Sequence, residues 1–194
     1  VALVLVWSGI RPRDYYTWVL EVLPVLVAAP LLAWLYPRFR FTPLVYVLVA
    51  LHCVVLMIGG HYTYAEEPFF NWLKEAWGLE RNYYDRLGHF MQGFVPAMVA
   101  REVLIRKSPL RGSRWLPVLV VCVCLSISAA YEFVEWWTAL VSKEAAESFL
   151  GTQGDVWDTQ WDMFLCTVGA AISLVALSRV QDRQLASLEK KGAT

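Results

Sequence analysis

The chain has 194 residues, of which 58% are hydrophobic and only 18% are charged. Because soluble domains carry about 25% charged residues, this composition excludes an ordinary soluble protein and a disordered chain. The 17 basic and 17 acidic residues cancel, so the chain has no net charge that would attract nucleic acid. The composition indicates one membrane-embedded domain.

Apolar segments of the length that a transmembrane helix needs, about 20 residues, follow one another along the chain. They predict an all-α, polytopic transmembrane helical bundle of about six spans, which forms a single integral membrane domain. The first apolar run is short and starts without Met, and we interpret it as the end of a truncated span. The apolar piece Phe69–Leu73 is expected at the membrane interface. The predicted spans cover residues 1–10, 15–36, 41–62, 83–104, 115–141 and 155–180.

The distribution of basic residues predicts the orientation, because Lys and Arg concentrate in the cytoplasmic loops of membrane proteins. One side of the membrane carries Arg38, Arg40, Arg101, Arg106, Lys107, Arg111, Arg114, Arg179, Arg183, Lys190 and Lys191. The opposite side carries fewer: Arg11, Arg13, Lys74, Arg81, Arg86 and Lys143. An even number of spans then places both termini in the cytoplasm, although Arg11 and Arg13 run against the rule.

Ionisable residues within the predicted spans concentrate at the extracytoplasmic ends of four of them. Residues three, four or seven positions apart share one helix face, and the inner halves of the spans carry almost nothing comparable. This convergence is the main functional signal of the sequence. The residues are His61, Asp85, His89, Glu132, Glu135, Asp155, Asp158 and Asp162.

Six carboxylates in one place must share protons, pair with arginine or hold a cation. Carboxylates together with imidazole suit zinc, manganese or iron, so one hypothesis is a divalent metal ion with Glu135 as general base. The expected metal ligands are His61, Asp85, His89, Glu132, Asp158 and Asp162.

Other interpretations of these residues stay open. Asp155 and Asp158 are as well suited to cap the last helix, and Asp85 has an ion-pair partner beside it in Arg86. Two further ionisable residues stand alone in their spans. Of these, Glu21 is predicted to be interfacial and His52 to be a packed structural histidine.

Four motifs, in this order, carry a resemblance to a known family. They are Gly60-His-Tyr-Thr-Tyr-Ala-Glu66, Arg81-Asn-Tyr-Tyr-Asp-Arg-Leu-Gly-His-Phe90, Tyr131-Glu-Phe-Val-Glu-Trp136 and Leu150-Gly-Thr-Gln-Gly-Asp-Val-Trp-Asp-Thr-Gln-Trp-Asp-Met163. The chain resembles the bacterial inner-membrane proteins of the YjdF type, a domain-of-unknown-function family, over nearly its whole length. Glu67 and Tyr83 depart from the pattern, which has an apolar residue and commonly a histidine there. The resemblance implies a multi-pass protein of the bacterial inner membrane and no particular activity.

A second, weaker resemblance rests on Asp85-x-x-x-His89-Phe90, followed by a glutamate and by an aspartate at the start of the last span. This pattern is similar to that of the VanZ-like membrane proteins, a family that also lacks a settled chemistry.

Three classes of function follow from these features. The leading one is a membrane protein with a cation site and metal-dependent chemistry on a lipid or cell-envelope substrate. The second is a transporter of protons, ions or small solutes, which needs polar groups along its whole path. The third is a non-catalytic subunit of a membrane complex or homo-oligomer, in which the carboxylates pair with arginine. Membrane lipids are expected partners in all three classes, and nucleic acid in none.

Overall fold

Each of the predicted apolar segments contains a helix in the computed structural model. The model describes residues 1–141, 149–150 and 152–192, with side chains up to 190, and this part of the chain contains helices and no strand. Lys143 and Gly151, used above for the orientation and the fourth motif, lie outside the described residues. The helices are α1 (Ala2–Ser8), α2 (Tyr15–Leu35), α3 (Pro43–Tyr62), α4 (Pro68–Trp77), α5 (Tyr84–Lys107), α6 (Trp115–Val141) and α7 (Asp158–Gly192), and a 3-10 turn (Tyr64–Glu66) precedes α4.

The ends of α2 and α4 follow from local sequence. The Asp14 carboxylate accepts a hydrogen bond from the Thr17 amide, 2.6 Å away, and so caps the start of α2. Glu67 caps α4 in the same way, with a proline at the first helical position. Gly78 adopts the left-handed conformation, with φ of 62°, that ends α4.

Four of the described helices, α2, α3, α6 and α7, are long and apolar enough to cross a membrane. Helix α1 has only 7 residues, and α5 has 24 residues but a much more polar sequence. The figure of about six spans is therefore not confirmed. The polarity of α5 has a structural reason, because its charged residues Asp85, Arg86 and Arg101 are buried against other helices.

Helix α5 is the centre of the bundle and packs against α3, α6 and above all α7. Its contact with α7 is a backbone-to-backbone approach at two glycines. A Cβ atom on Gly93 would lie 1.8 Å from the Cys166 carbonyl oxygen, and one on Gly169 would lie 2.1 Å from that of Phe90. Small residues allow such approaches between membrane helices. The contact fixes the start of α5 beside the start of α7.

The outer surface of the bundle is apolar. Val27 of α2, Phe133 of α6 and Val175 of α7 are each more than half exposed, which suits contact with lipid. Helix α4 has no buried residue, and it exposes the aromatic side chains of Phe69 and Trp72. An amphipathic helix of this kind suits the interface position predicted for its apolar piece.

Candidate functional site

The start of α5, the end of α6 and the start of α7 meet at one end of the bundle, here called the acidic end. Asp85, His89 and Asp162 are buried together there, with potential ligand atoms within 4.8 Å of one another. The His89 Nε2 atom lies 3.5 Å from Asp85 Oδ1 and 3.8 Å from Asp162 Oδ1. The other ring nitrogen, Nδ1, lies 3.2 Å from the Gln92 amide oxygen. A donor bond to that oxygen would leave Nε2 free to accept a proton or a metal.

A second group that also includes His89 contains Glu132 and Glu135, one turn apart on α6. These three residues are also buried with their potential ligand atoms within 4.8 Å of one another. The Oε1 atom of Glu132 is buried and has no hydrogen-bond partner among the described residues. The Glu132 carboxylate has a hydrogen-bond partner in Thr159, but a buried carboxylate oxygen without one is costly. A proton or a cation at this oxygen would therefore stabilise the group.

Three aspartates before and at the start of α7 have a different environment, because Arg86 reaches each of them from α5. Its Nη2 atom lies 3.0 Å from Asp155 Oδ2 and 2.6 Å from Asp158 Oδ1, and its Nη1 atom bonds to Asp162. The Arg86 side chain is only 9% exposed. Three carboxylates are therefore compensated by one buried cation that is part of the chain.

Arg81, which precedes α5, adds a second cation to the same cluster. Its Nη1 atom lies 2.6 Å from Asp158 Oδ1, and its Nη2 atom lies 3.4 Å from Asp85 Oδ2. Asp155 also accepts a hydrogen bond at 2.9 Å from the amide of Trp157, which lies just before α7. The sequence suggested an ion pair between Asp85 and its neighbour Arg86, whereas the structure pairs Asp85 with Arg81.

His61 does not join these groups. Its Nδ1 atom lies 3.0 Å from the Ser8 carbonyl oxygen, and its ring packs 4.5 Å from that of Trp7. The last turn of α3 therefore faces α1, and His61 joins these two helices. Of the predicted ligands, the structure gathers the others at the acidic end and leaves His61 apart.

The prediction that Glu21 is interfacial is wrong, because this residue is only 2% exposed. The Tyr131 hydroxyl of α6 donates a hydrogen bond to Glu21 Oε2 across 3.1 Å. Glu21 thus reaches the acidic end from α2, a helix that contributes no other ionisable side chain to it within the described residues. A lone glutamate inside an apolar span is itself a functional signal, and it could have identified this residue.

A cavity of about 480 Å³ opens beside both groups, a size typical of ligand sites. It continues away from the acidic end between α2, α3, α5 and α6. His52 lines its middle and is only half-buried, so the predicted packed histidine faces a cavity. At the acidic end its walls include Glu21, Tyr64, Asp85, His89, Tyr131 and Glu135.

The opposite end of the bundle holds a second polar network, which contradicts the expectation that the inner halves carry almost nothing comparable. The Glu102 carboxylate is fully buried and accepts hydrogen bonds from the Thr42 amide at 3.0 Å and from Arg106 at 2.8 Å. Arg101 bonds to Gln181 at 2.9 Å. The charged side chains of Glu102, Arg106 and Arg101 all have hydrogen-bond partners. We therefore interpret this network as a structural link between α3, α5 and α7.

The description "Predicted membrane protein (DUF2238)" belongs to the family model that matches residues 1–183. The chain belongs to this family. Inner membrane protein YjdF of Escherichia coli strain K12 is 49% identical over 185 residues, which cover 95% of this chain and 88% of that relative. No solved structure matches the chain. The resemblance carried by the four sequence motifs is confirmed.

The matched region of this DUF2238 protein includes both polar networks and the whole cavity. Together with the four long apolar helices, the family assignment identifies a multi-pass membrane protein. The family description names no activity. The function therefore has to be argued from the chemistry of the acidic end.

Proposed function

We propose that His89, Glu132 and Glu135 hold a divalent cation at the acidic end, and that this cation supports chemistry on a lipid or cell-envelope substrate. The observation that carries the proposal is the buried Glu132 Oε1 atom, which has no hydrogen-bond partner within the described part of the chain and lies beside two further potential ligands. A bound cation would compensate both glutamates at once. One imidazole with two carboxylates suits zinc, manganese or iron.

This ligand set differs from the one expected from sequence. Asp158 and Asp162 already bond to the buried Arg86, and a metal on them would compete with that cation. Glu135, expected as a general base, here acts as a ligand. Gln92, whose amide oxygen lies 3.2 Å from His89 Nδ1, would orient the imidazole. Asp85, 3.5 Å from His89 Nε2, would accept protons at the centre. The cation itself supplies Lewis-acid polarisation of a bound oxygen.

Elemental analysis of the protein purified in detergent, after incubation with zinc and gel filtration, tests the proposal. Wild type is expected to retain zinc, and Glu132→Gln and Glu135→Gln are expected to lose at least about tenfold in affinity, because direct ligands matter no less than the groups that orient them. Glu66→Gln is the control, since its carboxylate is exposed and pairs with Arg13.

A wild-type protein that retains no metal would overturn the cation site. The stability of Glu132→Gln then shows why: a variant at least as stable as wild type is the expected companion of that result. That result would mean that Glu132 is simply protonated in the native protein. That result would favour the interpretation as an accessory subunit, in which the carboxylates pair with arginine, as Arg81 and Arg86 do with the aspartates. The transporter interpretation has less support, because the far half of the cavity is lined by valine, leucine and isoleucine.

The proposed setting is the bacterial inner membrane, with α5 and the segment of α1 among six spans and with both termini in the cytoplasm. The supports are the name of the Escherichia coli relative and the basic residues Arg38, Arg106 and Arg111 at the end opposite the acidic cluster. This orientation directs the acidic end to the extracytoplasmic side.

Thiol labelling tests that orientation in a variant whose 4 cysteines are replaced. Single cysteines at two exposed positions, Glu75→Cys in α4 and Ser187→Cys in α7, report on the two ends. A membrane-impermeant maleimide is expected to label Glu75→Cys in intact spheroplasts and Ser187→Cys only after lysis. The reverse pattern would overturn the orientation.

A further inference from the structure

The cavity extends from the acidic end along α5 as a groove. Its walls include α5 residues from Asp85 to Leu104, and at 1.5 Å of rise per residue this segment is about 28 Å long. That length approaches the thickness of the hydrocarbon core of a bilayer, about 30 Å. The cavity volume of about 480 Å³ lies in the range of sites that hold small-molecule ligands.

The chemistry of the walls changes along the groove. Carboxylates and imidazole line the acidic end, and Gln92 and His52 lie near the middle. Beyond Gln92, the described part of α5 and α6 contributes only apolar side chains to the lining. These include Val95, Val99, Val103, Leu104, Val123 and Ile127. A site that is polar at one end and apolar over the remainder suits an amphiphile with a single chain in the groove.

The apolar half of the groove is open to the side. Val103, Val123 and Ile127 line the groove and are 38%, 38% and 42% exposed. At this depth the outer surface of a membrane protein contacts lipid chains. A chain can therefore enter sideways, past α6, without leaving the hydrocarbon. The hydrogen bond between Tyr131 and Glu21 joins α6 to α2 at the polar end.

We infer that this groove holds one alkyl chain of a membrane phospholipid, with the phosphate of the headgroup at the acidic end. The inference rests on the proposed function, because the carboxylates of Glu21, Asp85 and Glu135 alone would repel a phosphate. Among the described residues, no lysine or arginine lines the cavity. A divalent cation on His89, Glu132 and Glu135 would offset the charge of these two glutamates and would supply a ligand position for a phosphate oxygen.

Photolabelling tests this placement with a phosphatidylglycerol that carries a diazirine at the end of one acyl chain, incorporated into vesicles with the zinc-loaded protein. Cross-links are expected on the apolar wall around Val99, Val103 and Leu104. Ile127→Trp, which puts an indole into the open side of the groove, is expected to reduce labelling about tenfold, because blocking as few as two methylene positions gives that change. Val175→Trp is the matched control, since this residue is 86% exposed on α7 and does not line the groove.

Removal of the cation by a chelator is expected to reduce groove labelling by a similar factor. Equal labelling of wild type and Ile127→Trp would overturn the inference, while the zinc content of the same samples would show separately whether the cation site stands. Groove labelling in a protein that never takes up zinc would overturn the cation-bridged headgroup, and the proposed function would fail with it. Labelling spread evenly over exposed residues of all helices would show annular lipid only and would also overturn the inference.

Discussion

Replacing Gly93 with alanine is expected to destabilise the bundle by about 3 kcal/mol or more, at the upper end of the range for overpacking in a core. The added methyl group would lie 1.8 Å from the Cys166 carbonyl oxygen of α7. A backbone atom cannot rotate away as a side chain can, so α5 and α7 must separate. The separation would also move Arg86 away from the aspartates that it bonds. Thermal unfolding of the purified protein in detergent measures the loss.

Gly88→Ala on the same helix is the matched control. Its methyl group would lie 3.4 Å from the Tyr64 ring, which is an ordinary van der Waals contact. Because alanine is a better helix former than glycine, this variant is expected to be about as stable as wild type. If Gly93→Ala unfolded at the same temperature as Gly88→Ala, the close approach of α5 and α7 would be wrong.

Arg86→Ala is the second substitution with a large expected effect. It removes the guanidinium that bonds to Asp155, Asp158 and Asp162 and leaves these carboxylates with less compensation at a buried site. Breaking a buried ion pair from one side costs about 3–5 kcal/mol. Arg86→Lys is expected to recover only part of the stability, because a single ammonium group cannot reproduce the planar set of donors. Thermal unfolding is again the measurement.

Two controls make this prediction specific. Arg111→Ala removes an arginine that is 54% exposed and bonds only to the equally exposed Glu189 among the described residues, so little change is expected. The double variant Arg86→Ala, Asp162→Asn should lose less than the sum of its single substitutions, because it removes both partners. Additive losses, or an Arg86→Ala protein as stable as Arg111→Ala, would mean that the aspartates do not depend on this arginine.

The helices were predictable because apolar length is a local property of the sequence. Even α5, too polar for a simple hydropathy criterion, has helical spacing between Asp85 and His89. The end of α7 was not predicted, since the predicted span stops at position 180. In the structure Leu185 and Gln181 are buried against other helices, and α7 continues to Gly192.

The site was predictable in part for the same reason. Spacing along one helix shows which residues share a face, so the pairing of Glu132 with Glu135 needed no structure. Spacing cannot show how each helix is rotated toward its neighbours. That rotation brings Glu21 to the acidic end and turns His61 toward α1. It also lets Arg81 and Arg86 form ion pairs with Asp155, Asp158 and Asp162. Glu132 and Glu135 have no cationic partner within the described part of the chain.

X-ray absorption by the zinc-loaded protein in lipid nanodiscs is the most direct test of a cation on His89, Glu132 and Glu135. The spectrum should contain one imidazole nitrogen and carboxylate oxygens at about 2.0–2.2 Å from the metal. Glu132→Gln should lose the bound zinc, whereas Glu66→Gln should give the wild-type spectrum. A protein that takes up no zinc, or zinc without an imidazole ligand, would contradict a centre on these residues.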